Sequence, residues 1–508
     1  MSIDRNPHPT QRHRWQSFAR EANLTRRESL SRIGGGLGGL ALASMLLRDG
    51  ALAGDEGAAA QSSSGRVSPM APKPGHHPAR ARAVIEIFCP GGLSHVDTWD
   101  YKPELEKLHG QPFDAELGKQ TFAGVAGKVA KSFWPFRQHG QSGLWLSDLF
   151  PKMAGVIDDI AFVYSMQNKS ALHGPAIFMM NSGFILPGFP SMGAWVTYGL
   201  GSEADNLPSY VVLPDPRGLP PGGALNWGAG FLPALHQGTV VETAPGRPPI
   251  ADLFPAGQFD PSAENEGRAL LQAWNEEHAA AHPGDSMLEA RIASYELAAK
   301  LQLSAPEAID VGRETASTQT LYGIDDPDLG TFGKQCLLAR RLVERGVRFV
   351  QIFCGAENTG KKPIRPNWDS HEDIVRDHGY WGRILDHGAA ALLGDLKQRG
   401  LLDSTLVICT SEFGRQPFMQ GEQKGRDHNP GAFTAWMAGG GVRGGVGYGA
   451  SDAMGFKAAE HPSYSYDLHA TALHLLGLDH TRLTYYHNGI ARRLTDVHGH
   501  VIQPLLAN

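Results

Sequence analysis

Histidines and carboxylates recur along this chain in short clusters, each one just after an apolar run. His95 and Asp97 follow Pro90-Gly91-Gly92; Asp369 and His371 share the stretch Asn367-Trp368-Asp369-Ser370-His371; Glu412 stands in Ser411-Glu412-Phe413-Gly414-Arg415; Asp427 and His428 are adjacent. Taken singly, such a pair reads as a loop or capping feature. Together they offer what a divalent cation needs, oxygen and nitrogen ligands that converge from separate segments. The candidate ligands are therefore His95, Asp97, Asp369, His371, Glu412, Asp427 and His428. A further cluster, Ser170-Ala171-Leu172-His173-Gly174-Pro175, adds an imidazole, His173, where Gly174-Pro175 starts a helix whose N-terminal NH groups could hold an anion. Arg415 or Arg426 would pair with a bound anion.

Something must bring these segments together. The runs Val84 to Phe88, Ile160 to Tyr164, Tyr210 to Leu213, Val347 to Phe353, Leu406 to Thr410 and Phe433 to Met437 read as buried strands. Helical periods lie between them, at Leu146 to Ile157, Ile177 to Met180, Ala269 to His282, Met287 to Leu303, Lys334 to Arg345, Trp381 to Arg399 and Tyr466 to Leu476. Alternating strands and helices predict a three-layer α/β sandwich with a mainly parallel central sheet, the strands at 84, 160, 347 and 405 lying adjacent. In such sheets ligands bind beyond the carboxyl ends of the strands, where the clusters fall.

Composition excludes other classes. Apolar residues make up 41% and charged residues 19% of the 508, which suits a globular chain and not a disordered one. Forty-six basic residues against 52 acidic leave a net charge of −6, without the basic excess that nucleic-acid binding uses. Cys89, Cys336, Cys354 and Cys409 are far apart in sequence and read as buried thiols, neither a disulfide framework nor a zinc ribbon.

The N-terminus reads as an address. Arg26-Arg27 precedes a mildly apolar, Gly-rich run from Ile33 to Leu47, too short to span a membrane, and Ala51-Leu52-Ala53 offers a cleavage site. Residues 1–53 are accordingly expected to be a twin-arginine signal peptide, leaving no transmembrane anchor after cleavage. A disordered linker is expected over 54–81, then one domain over 82–508 with a Pro- and Gly-rich insertion at about 215–265.

From Arg82 onward the chain resembles the family called domain of unknown function fifteen hundred and one, a sulfatase-like group within the alkaline phosphatase superfamily. The segments that carry the likeness include GGLSHVDTWDYKPELEKLHGQP, SMQNKSALHGPAIFMMNSG, NWDSH, LKQRGLLDSTLVICTSEFGRQP and GRDHNPGAFTAWMAGGGVRGG. The resemblance implies an alkaline-phosphatase-like fold. It also places superfamily metal ligands on Asp369, on His371 or Asp373, on Glu412 and on His428. Departures accompany it: Phe413 stands where a ligand is expected, and Gly91-Gly92 where the first-strand Asp would be. In sulfatases a Cys or Ser that becomes formylglycine opens the nucleophile motif, and the resemblance puts His173 in that place, as a metal ligand or a covalent nucleophile, with Ser170 as the alternative nucleophile.

Two functions follow as expectations. The first is an exported, metal-dependent hydrolase of sulfate or phosphate esters, its cation calcium, zinc or manganese, its substrate an anionic ester or polysaccharide. The alternative is a non-catalytic binding or assembly protein on the same fold, periplasmic or secreted, with a co-exported partner.

Overall fold

The computed structural model describes residues 70–112, 126–204, 206–244, 246–250, 261–282, 288, 292, 306–357 and 364–507. The expected signal peptide lies outside them, as do the first part of the linker and nearly all of the helix expected at Met287 to Leu303. Contacts divide the chain into two units. One comprises 68–253 and 290–508 and holds the whole central sheet; the described part of the other, 1–67 with 254–289, is essentially one helix, Pro261–Ala281.

Eight strands form the sheet: β1 (Ala83–Phe88), β2 (Ile160–Met166), β3 (Tyr210–Leu213), β4 (Thr239–Val240), β5 (Phe349–Phe353), β6 (Thr405–Thr410), β7 (Phe433–Ala438) and β8 (Val446–Tyr448). Their order is β8-β2-β7-β6-β1-β5-β3-β4, and only β7 runs antiparallel to its neighbours. The fold is thus mixed α/β with a mainly parallel sheet. The strands at 84, 349 and 405 are adjacent as expected, whereas β7 separates β2 from them. A hydrophobic run alone does not reveal that the returning strand inserts there.

Helices cover both faces, which is why the central strands are apolar on both. Ile85 and Ile87 of β1 face one core with Cys336, Leu337, Trp381 and Leu385, from the helices Gly330–Glu344 and Ile374–Gln398. Val84 and Phe88 face the other with Ile177, Trp195 and Leu473, from the helices His173–Ser182, Met192–Leu200 and Ser465–Leu475. Each such buried side chain contributes roughly 1.5–3 kcal/mol relative to exposure. All four cysteines are free and buried.

Several local readings change. The helix expected at Leu146 to Ile157 is a hairpin strand, Leu144–Ser147 paired with Phe136–His139, followed by a 3-10 turn at Met153–Asp159. Leu146, Phe150, Met153 and Ile157 are buried at near-helical spacing, but Pro151 interrupts any helix through them. The helix Met192–Leu200 has no polar face, being buried along most of its length, and so gave no amphipathic period; Ser191 caps it. The end of the expected linker is held to the fold, with Lys73 N donating to Leu200 O, His76 N to Gly477 O and Arg80 N to Leu475 O. Part of the expected insertion is also structural, since β4 extends the sheet and Trp227 and Leu232 are buried in the second core.

Candidate metal centre at the carboxyl edge of the sheet

Register sets where the site lies. Phe88 pairs with Phe353 on one side and Thr410 on the other, so the chains leaving β1, β5 and β6 emerge at one level. The Pro90-Gly91-Gly92 turn is forced by crowding there: Gly91 and Gly92 have φ of 109° and 83°. A Cβ on Gly91 would meet Asp369 N at 2.5 Å, and one on Gly92 the Phe413 ring at 2.7 Å. Trp368 N donates to Pro90 O at 3.0 Å, and Gly91 N to Glu412 Oε1 at 2.8 Å. The first-strand turn therefore grips the loops carrying Asp369 and Glu412. Asp373 caps the helix Ile374–Gln398 by accepting from Arg376 N at 3.1 Å, which fixes the exit of the Asp369–His371 loop.

His173 is the first residue of its helix, reached from the carboxyl end of β2. His428 lies in a two-residue ladder, Gly414–Arg415 against His428–Asn429, just before β7. Because β7 is antiparallel, its start lies at the same edge.

Three imidazoles converge on one oxygen. Asp369 Oδ1 lies 3.4 Å from His173 Nε2, 2.8 Å from His371 Nε2 and 3.3 Å from His428 Nε2. Each ring is held from behind. His173 Nδ1 donates to Glu412 Oε1 at 2.7 Å, His371 Nδ1 to Gln420 Oε1 at 2.6 Å and His428 Nδ1 to Ala171 O at 2.7 Å. This arrangement, with the outer nitrogen bound to an acceptor and the inner one pointing at a shared centre, is how metal-ligating histidines are oriented. Two sets of side chains have ligand atoms within 4.8 Å of one another: His173, Asp369 and His428; and His371, Asp427 and His428.

The electrostatics fit. Burial pushes the Asp369 carboxyl upward, but the Arg415 guanidinium and the surrounding imidazoles outweigh it and hold the group well below the usual carboxylate range. Burial, with Arg415 adding to it, holds His428 down at about 4 against the pull of Asp369, so its ring is neutral. Burial would also lower His173, yet Asp369 and Glu412 win and raise it to about 9. A cation at this point must displace that proton.

Not every expected site residue joins the cluster. Asp97 is spent on a buried ion pair: Arg426 Nε lies 2.9 Å from Asp97 Oδ2, and Ser94 Oγ donates to the same oxygen at 2.5 Å. His95 bonds Gly455 O through Nε2 at 2.7 Å, and its ring lies against Gly414. Glu412 reaches the centre as the partner of His173. Asp427 Oδ1 accepts from His428 N at 2.8 Å and lies 4.0 Å from His371 Nδ1. Arg415, fully buried, donates to Gly92 O at 3.0 Å, to Arg426 O at 2.9 Å, to Gly91 O and to Asp369 Oδ1 at 2.6 Å. Its guanidinium is therefore occupied in holding Asp369 and the glycine turn. Ser170 Oγ accepts from Leu172 N at 3.1 Å, a local turn bond at the start of the His173 helix. Gln420 and the Ala171 carbonyl were not legible as site groups, since neither residue type signals a role.

A family model, described as "Protein of unknown function (DUF1501)", matches residues 81–506. The chain belongs to this family. No curated protein matches the sequence. Among solved structures the chain is similar to a sulfatase from Pseudoalteromonas sp., at 13% identity over 90% of this chain and 77% of that one, TM-score 0.32. It is also similar to the phosphonate monoester hydrolase of Silicibacter pomeroyi, at 12% identity over 65% and 68%, TM-score 0.30. The alkaline phosphatase of the Antarctic bacterium TAB5 is similar at 10% identity over 72% and 94%, TM-score 0.27. Likenesses this distant say nothing about activity. Among the described residues no helix is long and apolar enough to cross a membrane.

Proposed function

We propose that this family member is a metal-dependent hydrolase of sulfate or phosphate esters that acts outside the cytoplasm. The observation that carries the proposal is the convergence of His173, His371 and His428 Nε2 on Asp369 Oδ1, at the carboxyl edge of a mainly parallel sheet. When bound, a divalent cation at this point would polarise an ester oxygen and acidify a water. The protein's own groups prepare the place. Glu412, Gln420 and the Ala171 carbonyl fix the three rings, and Arg415 fixes the carboxylate. The helix that begins at His173 directs its positive end to the same edge, which favours an anionic ester.

A second reading, a binding or assembly protein for an anionic polysaccharide or a co-exported partner, draws on two observations. The Ser170 hydroxyl is engaged with Leu172, and Phe413 packs against His173 and His428 where a further polar group would serve catalysis. The two readings separate in one assay. The purified protein, supplied with divalent cations, is presented with aryl sulfate, aryl phosphate and aryl phosphonate esters, beside Asp369→Asn. Turnover of at least one ester, lost in the variant, supports hydrolysis; binding of a sulfated polysaccharide without turnover supports the second reading. For export, changing Arg26 and Arg27 together to Lys should retain the protein in the cytoplasm, and unaltered export would remove the twin-arginine route.

A further inference from the structure

The two candidate ligand sets share one residue, and this limits how many cations they can hold. His428 is buried, 3% exposed, and its Nδ1 faces the carbonyl oxygen of Ala171 at 2.7 Å. A carbonyl has no proton to give, so Nδ1 carries the hydrogen, and Nε2 is the ring's one ligand atom. One nitrogen lone pair binds one metal ion. The sets His173–Asp369–His428 and His371–Asp427–His428 therefore cannot each bind an ion through His428 at the same time.

Spacing and donor type then narrow the ion. Asp369 Oδ1, His371 Nε2 and His428 Nε2 are separated by 2.8, 3.1 and 3.3 Å. Ligands held tetrahedrally at the roughly 2.0–2.1 Å typical of zinc stand about 3.3 Å apart. Calcium instead takes 6–8 oxygen ligands at about 2.3–2.6 Å, whereas most of the donors here are imidazole nitrogens. Glu412, which could have supplied oxygen, faces His173 Nδ1, Gly91 N and Ser411 Oγ.

Resting on the reading of this edge as a metal centre, we infer that the protein holds a single imidazole-accepting transition cation of the zinc type, centred on His428, and neither a metal pair nor calcium. His173 and His371 flank that centre, so each contributes to affinity without adding a second ion.

Metal analysis of the full chain, purified without chelator and then offered zinc and calcium at equal concentration, tests this. One equivalent of zinc or another transition ion is expected. Cobalt substituted for it should give the intense visible absorption of a four- or five-coordinate site. His428→Ala should lower affinity at least tenfold, and His173→Ala and His371→Ala should each weaken binding without leaving a residual equivalent. Should His428→Ala fail to fold, Asp369→Asn, nearly isosteric, asks the same question. Two equivalents per chain, or retention of calcium over zinc, would overturn the single-transition-ion inference while leaving a metal centre in place. A chain that binds no cation under any of these conditions would overturn both.

Discussion

His428 and Ala171 are 257 positions apart in sequence, yet the His428 Nδ1–H donates to the Ala171 carbonyl at 2.7 Å. That bond joins the loop after β2, which leads into His173, to the ladder residue that precedes β7. It fixes the His428 tautomer and turns Nε2 toward Asp369, 3.3 Å away. The loop is anchored in turn, because Asn168 Nδ2 donates to Glu412 O at 2.8 Å and to Ala176 O at 3.0 Å.

Glu412→Gln keeps the shape of the side chain but removes the carboxylate behind His173. Outer partners of this kind typically change metal affinity or activity by about 10- to 100-fold. Affinity measured by chelator competition should fall within that range, while the unfolding midpoint moves little. Unchanged affinity would mean that Glu412 does not orient His173.

Asp97→Ala distinguishes a structural carboxylate from a ligand. Arg426 is fully buried and would lose its ion partner, a change that costs about 3–5 kcal/mol. Denaturant unfolding should show a loss of that order, and the protein that remains folded should keep its metal. Full stability with metal lost would return Asp97 to the ligand set.

Stability should also depend on Glu86. It lies on β1 within the sheet, accepts from Gln351 Nε2 at 2.9 Å, and burial, offset in part by that bond, pushes its carboxyl up to about 8. Gln351 also donates to Asn181, on the helix that begins at His173, at 2.6 Å. The folded state keeps the Glu86 proton at pH values where the unfolded chain, with an ordinary carboxyl near 4.5, has released it. The folded state therefore binds more protons between about 4.5 and 8, and stability falls as pH rises through that window. Glu86→Gln should flatten the fall and raise stability at pH 8, by about 1–3 kcal/mol. Chemical denaturation at pH 5 and pH 8 checks this, and an unchanged pH slope in the variant would assign the dependence to other groups.

Much of the fold was legible because its central strands are buried on both faces and so stand out as short apolar runs; Tyr210–Leu213 was read to the residue. The order of strands was less legible, since nothing in Phe433–Ala438 announces that it enters the sheet antiparallel between β2 and β6. At the site, residue type pointed to His173, Asp369, His371 and His428 but gave no means of separating them from Asp97 and His95. That separation depends on where Arg426 and Gly455 sit, which is a matter of tertiary packing. Glu412 and Arg415 were recognised as chemically able groups, but their roles as partners of His173 and Asp369 arise only when distant loops meet. Gln420 and the Ala171 carbonyl carry no type signal at all.

The most direct test of a cation centre on His428 is anomalous diffraction at a metal absorption edge, from crystals of the protein grown with the cation that purification retains. A peak about 2.0–2.2 Å from His428 Nε2 and Asp369 Oδ1 is expected, with His173 or His371 completing the shell. A peak elsewhere, or metal-saturated crystals in which His428 Nε2 and Asp369 Oδ1 remain in direct contact with no peak between them, would contradict it.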